Sequence, residues 1–272
     1  MIINDPPVCL SIAGLDPSGG AGIIADVKTF SAFGCFGAAA VSSVTFQNTT
    51  GVFGSVHQTD ESVRMQVEVV LEDYHVAAAK TGMLPTPEII VETARVLSAG
   101  SITNVVVDPV VRSTSGFDLI DDDALRSLIG TLFPIARVVT PNIPEAERIC
   151  RMTIKSEADI DEAGKQMLSM GAASVLIKGG HISNADSEGK AVDHLFAEGV
   201  HTRFESAFIQ TTSTHGTGCT LSAAITANLA LGRSLTEAVQ IAKDFVFEGI
   251  RTAPQLGKGN APVNIPTIWP VE

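Results

Sequence analysis

The chain has 272 residues, of which 45% are hydrophobic, and this is enough material for the core of one α/β domain. Its formal net charge is −12 without any basic block, so nucleic acids and anionic membranes are poor partners for it. The four scattered cysteines indicate neither a disulfide framework nor a zinc site, and no targeting segment or apolar run of about 18 residues occurs. We expect one cytoplasmic domain over residues 1–272.

Short apolar runs typical of strands alternate with amphipathic helical patterns along the chain. The predicted strands are residues 8–13, 38–46, 76–80, 104–108, 136–140, 174–178, 192–196 and 202–207. The predicted helices are residues 21–33, one from about residue 60, one from residue 86, and 121–130, 144–150, 157–170, 217–231 and 235–250. This alternation predicts a doubly wound α/β fold, with a mostly parallel central sheet and helices on both faces. Ligands of such sheets bind at the carboxyl ends of the strands.

The first predicted loop, residues 14–22, is rich in glycine and is flanked by two carboxylates, Asp16 and Asp26. Gly20, Ala21 and Gly22 match part of a dinucleotide-binding pattern, but no acidic residue ends a strand about 20 residues further on, which argues against NAD. Ordinary turn and capping chemistry explains the loop equally well.

Polar side chains also follow three predicted buried strands. Asp108 ends one strand, Asn142 and Glu145 follow the next, and Lys178 ends a third, before Gly179-Gly180-His181. Oxygen ligands suit Mg²⁺ and a lysine suits phosphate, although turn and helix-cap chemistry explains the acids and the asparagine nearly as well. No P-loop motif occurs, so a phosphoryl transferase with this sequence would be of another type.

Residues 214–224 form a glycine-broken turn that runs directly into an apolar helix. Gly216 and Gly218 allow a positive φ and a close approach of backbone amides to a charged group. The free N–H groups and the dipole of the helix start then predict an anion hole. A thiol at Cys219 is predicted to have a lowered pKa and to act as base or nucleophile, the alternative being a small buried hydrophobe. Together with the strand-end groups, this pattern resembles a site for Mg·ATP.

From about residue 8 to residue 263 the chain resembles the ribokinase superfamily and, within it, the hydroxymethylpyrimidine/phosphomethylpyrimidine kinase (ThiD) branch of thiamine biosynthesis. The resemblance is carried by residues 14–22, 25–30, 47–49, 80–84, 140–147, 178–181 and 215–224. It implies a ribokinase-like fold, homodimers, and ATP- and Mg²⁺-dependent phosphorylation of 4-amino-5-hydroxymethyl-2-methylpyrimidine to its monophosphate and then its diphosphate. Leu15 and residues 108–114 depart from the family pattern.

The resemblance also implies roles for individual residues. Cys219 is the base, in the position where sugar kinases of the superfamily carry an aspartate, and Gly216 and Gly218 belong to the anion hole. The implied nucleotide contacts are Lys178, Asn142, Thr217 and Gly218. Asp108 and Glu145, with Asn142, surround Mg²⁺ and its waters. The positions that match the pyrimidine pocket are Gly14, Ala21, Asp26, Gln47, Met83 and Val110.

Gln47 also has a chemical logic of its own. An aminopyrimidine edge presents a ring-nitrogen acceptor beside an amino donor, and one carboxamide complements both, whereas pyridoxal has no such pair. Three alternatives stay open: a pyridoxal or dual-specificity kinase, against which Gln47 argues; a sugar kinase, against which Cys219 argues; and a non-catalytic pyrimidine-binding protein. The presence of Lys178 and Glu145 argues against the last of these.

Overall fold

The computed structural model describes residues 5–111, 119–179, 189–267 and 269. The strands are β1 (Val8–Leu15), β2 (Phe36–Asn48), β3 (Gly51–His57), β4 (Val76–Thr81), β5 (Val105–Val107), β6 (Val138–Val139), β7 (Ser174–Lys178), β8 (Lys190–Ala197) and β9 (Val200–Ala207). The helices are α1 (Gly22–Ala32), α2 (Asp60–Asp73), α3 (Pro87–Ala99), α4 (Asp122–Ser127), α5 (Ile143–Cys150), α6 (Glu157–Ser169), α7 (Thr217–Ala230) and α8 (Leu235–Arg251). Gly180, His181 and residues 112–114, which the sequence analysis considered, lie outside the described residues.

All nine strands form one sheet in the order β3-β2-β1-β4-β5-β6-β7-β8-β9. The pairs from β2 to β7 are parallel, whereas β3, β8 and β9 add antiparallel pairs at the two edges. The predicted doubly wound, mostly parallel sheet is confirmed. β3 was not among the predicted strands, because Gly51 and Gly54 interrupt its pattern and none of its residues is fully buried.

The buried side chains of the sheet alternate between two apolar clusters, one on each face. In β5, Val105 and Val107 belong to one cluster and Val106 to the other, so both faces of this strand are buried against apolar side chains. Residues of α2 to α6 complete the first cluster, and residues of α1, α7 and α8 complete the second. The three apolar valines identify β5 as a strand covered by helices on both sides. The strand order places β5 in the middle of the sheet, so its carboxyl end lies at the centre of the sheet edge.

Helix starts follow the local chemistry of the sequence. Thr86 caps α3 through its side chain, with Pro87 in the first turn as the sequence predicts. The predicted helix at residues 121–130 is α4 followed by a π-helical turn, Leu128–Leu132. Within the described ranges, no helix is long and apolar enough to cross a membrane.

Candidate active site

The carboxyl edge of the parallel strands brings together one lysine and two carboxylates from three different strand ends. Lys178, the last residue of β7, places its Nζ 3.0 Å from Asp108 Oδ1 and 4.0 Å from Glu145 Oε2. Thr140 and Ser222 donate further hydrogen bonds to Asp108, at 3.2 Å each. Although burial opposes ionisation of Asp108, the charge of Lys178 holds the pKa of this carboxyl below its usual value.

Asn142 and Glu145 close a capping box at the start of α5. Glu145 N donates to Asn142 Oδ1 at 2.9 Å, and Asn142 N donates to Glu145 Oε2 at 2.8 Å. Asn142 and Glu145 therefore cap a helix and also lie at the candidate site, because α5 starts shortly after β6. Burial, reinforced by the charge of Asp108 and opposed by Lys178, raises the pKa of Glu145 to about 7.

This group of charges fits a hard cation. Two buried carboxylates share one ammonium, so with both carboxylates ionised the cluster carries one uncompensated negative charge. Within the described part of the chain, no group of three or more His, Cys, Asp or Glu side chains could hold a metal by itself. Carboxylate oxygens such as those of Asp108 and Glu145 are the ligand type that Mg²⁺ takes, and Mg²⁺ keeps waters and substrate phosphates among its other ligands.

The start of α7 forms the other wall of this cluster. Gly216 is the N-cap with φ +82°, and a Cβ there would overlap the carbonyl oxygen of Gly20. No side chain caps this helix start. Its first amide, Thr217 N, donates to Thr214 O at 3.3 Å, so the amides of Gly218 and Cys219 are the candidates for binding an anion here. A Cβ on Gly218 would lie 3.3 Å from Lys178 Nζ and 3.9 Å from Asp108 Oδ2, which shows how closely the helix approaches both groups. Thr217 turns its hydroxyl back to Thr214 O, at 3.1 Å.

Cys219 lies in the first turn of α7 and is partly buried. Burial, together with the charges of Asp26 and Asp108, raises the pKa of its thiol to about 11, although Lys80 and the Gly22 N–H oppose this. The predicted lowering of the Cys219 pKa is therefore wrong. The sequence pattern showed the helix start, but it did not show that the thiol would be desolvated beside two carboxylates.

A fully buried ion pair lies behind Cys219. Lys80 Nζ is 2.9 and 2.8 Å from the two carboxylate oxygens of Asp26, and Ser11 Oγ donates to Asp26 Oδ2 at 2.6 Å. Burial alone would lower the pKa of Lys80, but Asp26, Cys219 and Asp108 raise it above its ordinary value. The implied contact of Asp26 with a pyrimidine does not fit this arrangement, because the side chain is 0% exposed and both oxygens are engaged.

Lys80 was missed as a site residue, although a signal for it existed. It follows three alanines in a strand pattern, and a lysine in an apolar strand needs a partner, which is the argument that singled out Lys178. The partner proved to be Asp26, 54 positions away in the sequence and on a helix that packs against the same sheet.

Of the other implied pyrimidine contacts, Gly14, Gln47, Met83 and Val110 lie at or just after the ends of β1, β2, β4 and β5, whereas Ala21 is the N-cap of α1. A Cβ on Gly14 would meet Met83 Sδ at 3.1 Å, so these two residues form one wall. The Thr45 hydroxyl lies 3.1 Å from both Gln47 Oε1 and Leu15 O, so it contacts the carboxamide and the end of β1 together. Val110 is partly buried and directly follows the Asp108-Pro109 pair after β5.

Asp16 joins the loop after β1 to the loop before α7. It accepts hydrogen bonds from Ser18 N at 2.8 Å and Ala21 N at 3.0 Å. The Ser18 hydroxyl also donates to Asp16 Oδ2, at 2.9 Å. The same oxygen lies 2.7 Å from His215 Nε2, and both of these side chains are almost completely buried. Burial opposes ionisation of Asp16, but His215 and Ser18 hold the pKa of this carboxyl below its usual value.

Comparison with known proteins places these residues in one family. The sequence model of the phosphomethylpyrimidine kinase family matches residues 16–264. A hydroxymethylpyrimidine/phosphomethylpyrimidine kinase of Staphylococcus aureus (strain MSSA476) is 44% identical over 261 residues, covering 95% of this chain and 93% of that protein. The phosphomethylpyrimidine kinase structure from Clostridium difficile 630 is 41% identical with a TM-score of 0.79, covering 90% of this chain and 99% of that one.

The fold is also shared with kinases of a different named substrate. Pyridoxal kinase from Staphylococcus aureus in complex with ADP has a TM-score of 0.89 at 32% identity, covering 96% of this chain and 94% of that one. The higher TM-score accompanies the lower identity, so backbone similarity does not separate the two activities. The family model and the relative with 44% identity show that the chain belongs to the phosphomethylpyrimidine kinase family.

Proposed function

We propose that the chain is an ATP-dependent kinase that phosphorylates 4-amino-5-hydroxymethyl-2-methylpyrimidine to the monophosphate and then to the diphosphate. The family match supports this activity, and relatives of the same fold have been solved with ADP and AMP-PCP. The observation that carries the proposal is the convergence of Lys178, Asp108 and the uncapped start of α7 within about one side-chain length. These groups supply the positioning and charge neutralisation that phosphoryl transfer requires.

In this mechanism, the amides of Gly218 and Cys219 and the ammonium of Lys178 hold the transferring phosphoryl group from two sides. Asn142 extends the same edge toward the nucleotide. Asp108 and Glu145 would hold Mg²⁺, which when bound neutralises phosphate charge and orients the oxygens. Because Lys178 already contacts Asp108, the protein presents this lysine in a fixed position before the nucleotide arrives.

Cys219 is proposed to accept the proton of the hydroxymethyl group. As the alcohol oxygen bonds to the γ-phosphorus, the bond to the leaving ADP oxygen breaks and the alcohol proton passes to the Cys219 thiolate. With a pKa of about 11, most of the thiol is protonated at neutral pH, so the reactive form is a minor fraction. Lys80 is the cation behind the thiol that favours this thiolate.

The second phosphorylation has a different requirement. The attacking group is then a phosphate oxygen of the monophosphate, whose second pKa is about 6, so this oxygen is already ionised at neutral pH. No proton has to be removed from it. The anion hole and Lys178 therefore serve both steps, whereas the base serves the first.

Substrate choice is proposed to depend on Gln47. The Thr45 hydroxyl contacts Gln47 Oε1, and the NH₂ of that carboxamide can donate to a ring nitrogen. The second candidate is a pyridoxal or dual-specificity kinase, which the similarity to pyridoxal kinase structures favours. A non-catalytic pyrimidine-binding protein and a sugar kinase are the remaining alternatives.

ATP turnover with the hydroxymethylpyrimidine and with pyridoxal in parallel, with products identified by mass, tests these candidates. We expect the pyrimidine mono- and diphosphates. Pyridoxal phosphate alone would contradict the assignment of Gln47, and no ATP turnover with either compound would favour a binding protein. Omitting Mg²⁺ from the same assay tests the proposed cation site.

We also propose that the chain forms a homodimer through the β2–β3 edge. Phe46, Phe53 and Val56 are more than half exposed there, and β3 ends the sheet with an open backbone edge. Mass measurement by light scattering is expected to give a dimer, and Phe53→Ser is expected to shift it toward monomer. A monomeric wild type would contradict this proposal.

A further inference from the structure

The C-terminal segment of residues 257–263, called here the C-terminal clamp, runs between two loops of the candidate site. One loop is the turn between β2 and β3, which follows Gln47. The other is the loop before α7, which leads into the anion hole. The clamp belongs to neither the sheet nor a helix, and the proposed chemistry gives it no role.

At its first end the clamp forms hydrogen bonds with Thr49. Lys258 N and Gly259 N both donate to Thr49 Oγ1, at 3.2 and 3.3 Å, and Asn260 N donates to Thr49 O at 2.8 Å. The fit is close, because a Cβ on Gly257, whose φ is +80°, would overlap Thr49 Oγ1. Three successive amides of the clamp are thus satisfied by one residue of the turn.

At its second end the clamp pairs with His215. His215 N donates to Ala261 O and Val263 N donates to His215 O, each at 3.2 Å. Pro262 and His215 also close on Gly20, where an added Cβ would lie 3.0 Å from Pro262 Cβ and 2.5 Å from His215 Cδ2. His215 precedes the N-cap Gly216 directly and carries the 2.7 Å contact with Asp16.

The β2–β3 ladder is irregular near the end of the hairpin, although Gln47 pairs with Val52 and Asn48 with Gly51 beyond the irregularity. Its register shifts between Phe46 and Gln47, where the regular pairing of the two strands is interrupted. The turn beyond that shift is held by its own Asn48–Thr50 contacts and by the clamp.

We propose that the C-terminal clamp fixes the distance between the pyrimidine pocket and the anion hole, and that Thr49 is its positioning residue. The proposal rests on the assignment of Gln47 to the pyrimidine pocket. Gln47 lies at the end of β2 and the anion hole at the start of α7, and the clamp is a covalent segment that contacts the loop next to each. It aligns the substrate alcohol with the phosphoryl group rather than touching either one.

Thr49→Ala tests this proposal, because it removes the acceptor of two clamp amides at a partly exposed position where folding is not threatened. Thr49→Ser keeps that acceptor. Thr50→Ala is the matched control, since the Thr50 hydroxyl bonds Asn48 Oδ1 within the same turn at 2.7 Å and contacts no clamp amide. Initial rates of the three variants and the wild type give kcat and both KM values.

We expect Thr49→Ala to raise the pyrimidine KM about fivefold to tenfold and to lower kcat about threefold to tenfold, with the ATP KM within about twofold of wild type. Thr49→Ser and Thr50→Ala should both stay within about twofold of wild type. Wild-type constants for Thr49→Ala, or equal losses in Thr49→Ala and Thr49→Ser, would overturn the proposal.

Amide hydrogen exchange gives a readout that does not depend on the pocket assignment. Exchange at residues 214–219 should be faster in Thr49→Ala than in the wild type and unchanged in Thr50→Ala. Unchanged exchange in Thr49→Ala would overturn the clamp. If Gln47→Ala, assayed in the same series, leaves the pyrimidine KM unchanged, the pocket assignment is rejected, and the exchange result alone decides the clamp.

Discussion

The two halves of the site are built in different ways. The phosphate half consists of charged groups on the central strands and α7, and the protein itself fixes them: Lys178 on Asp108, Glu145 in a capping box, and Lys80 on Asp26. The proposed pyrimidine half consists of Gly14, the Met83 side chain, a partly buried glutamine and an edge hairpin. Under the proposed assignment, phosphoryl transfer takes place over the middle of the sheet, whereas substrate choice depends on residues at its margin. Such a division would allow kinases named for pyridoxal to share the fold.

The largest effect is expected in the phosphate half, from Gly216→Ala. The new Cβ would collide with the Gly20 carbonyl oxygen in a residue whose φ is +82°, so the start of α7 must shift away from the phosphates. We expect kcat to fall at least about 10³-fold.

Gly232→Ala is the matched control for that variant. Gly232 has the same φ of +82° at the far end of α7, but no atom lies within 4 Å of an added Cβ. It shares the backbone strain without the collision, so activity should stay near wild type while the melting temperature falls slightly. Similar activity in the two variants would show that the approach of Gly216 to Gly20 does not shape the anion hole.

Cys219→Ala separates the two phosphorylations. The first step should slow about 10²-fold or more, with little change in the pyrimidine KM, because the alcohol loses its base. The second step should slow less than about tenfold, because the attacking phosphate is already ionised. Separate assays started from the alcohol and from the monophosphate measure this difference, and equal losses in both would remove Cys219 as a base.

The pH dependence of the first phosphorylation tests whether Cys219 is the base. Since the pKa of Cys219 is raised to about 11, the thiolate fraction grows about tenfold per pH unit through the neutral range. The first step should therefore accelerate from pH 6 to pH 9 in the wild type, and this dependence should disappear in Cys219→Ala. A rate that levels off below pH 8 would contradict the raised pKa.

Glu145→Gln should slow turnover about 10-fold to 100-fold while stabilising the folded state at pH 8. Because the folded-state pKa of Glu145 is raised from 4.5 to about 7, its ionisation opposes folding, and the wild type loses stability as pH rises through this window. The variant lacks that loss. Glu147→Gln is the control on the same helix, since Glu147 accepts from Ile154 N outside the site.

Melting temperatures of both glutamate variants at pH 5 and pH 8, with and without Mg²⁺, give the comparison. Mg²⁺ should stabilise the wild type and Glu147→Gln more than Glu145→Gln. A variant at position 145 that melts below the wild type at pH 8 would indicate that the carboxylate stabilises the fold there.

The smallest effect is expected in the pyrimidine half, from Gln47→Ala. Loss of the carboxamide should raise the pyrimidine KM about tenfold, while the ATP KM stays unchanged. Turnover of pyridoxal, which lacks the matching edge, should not fall in parallel. A similar loss for both substrates would place Gln47 among residues that support the loop rather than among those that choose the substrate.

The sequence predicted which residues meet in the phosphate half, but it did not predict their pKa values. Strand-end positions identified Asp108, Asn142, Glu145 and Lys178, because the carboxyl ends of parallel strands meet at one edge. The pKa of Cys219 could not be predicted, since it depends on burial and on Asp26 and Asp108, which approach only in the folded chain.

Those elements of the fold that have an apolar pattern within their own residues could be predicted from the sequence. The parallel strands and all eight helices follow such patterns, whereas β3 does not, because its stability comes from pairing with β2 at an open edge. The Lys80–Asp26 pair and the Thr49–clamp contacts join residues that are 54 and about 210 positions apart, and no local pattern records such pairings.

The buried, protonated state of Cys219 also bears on how this enzyme withstands chemical damage. Peroxides and electrophilic compounds attack thiolates, and with a pKa of about 11 only about one Cys219 in several thousand is ionised at pH 7.5. If Cys219 is the proposed base, the resting protein holds the sulfur in the thiol form that oxidants attack least. A covalent inhibitor would first need affinity for the proposed pyrimidine pocket. A reactive group alone would label Cys219 slowly, because little of the thiol is ionised.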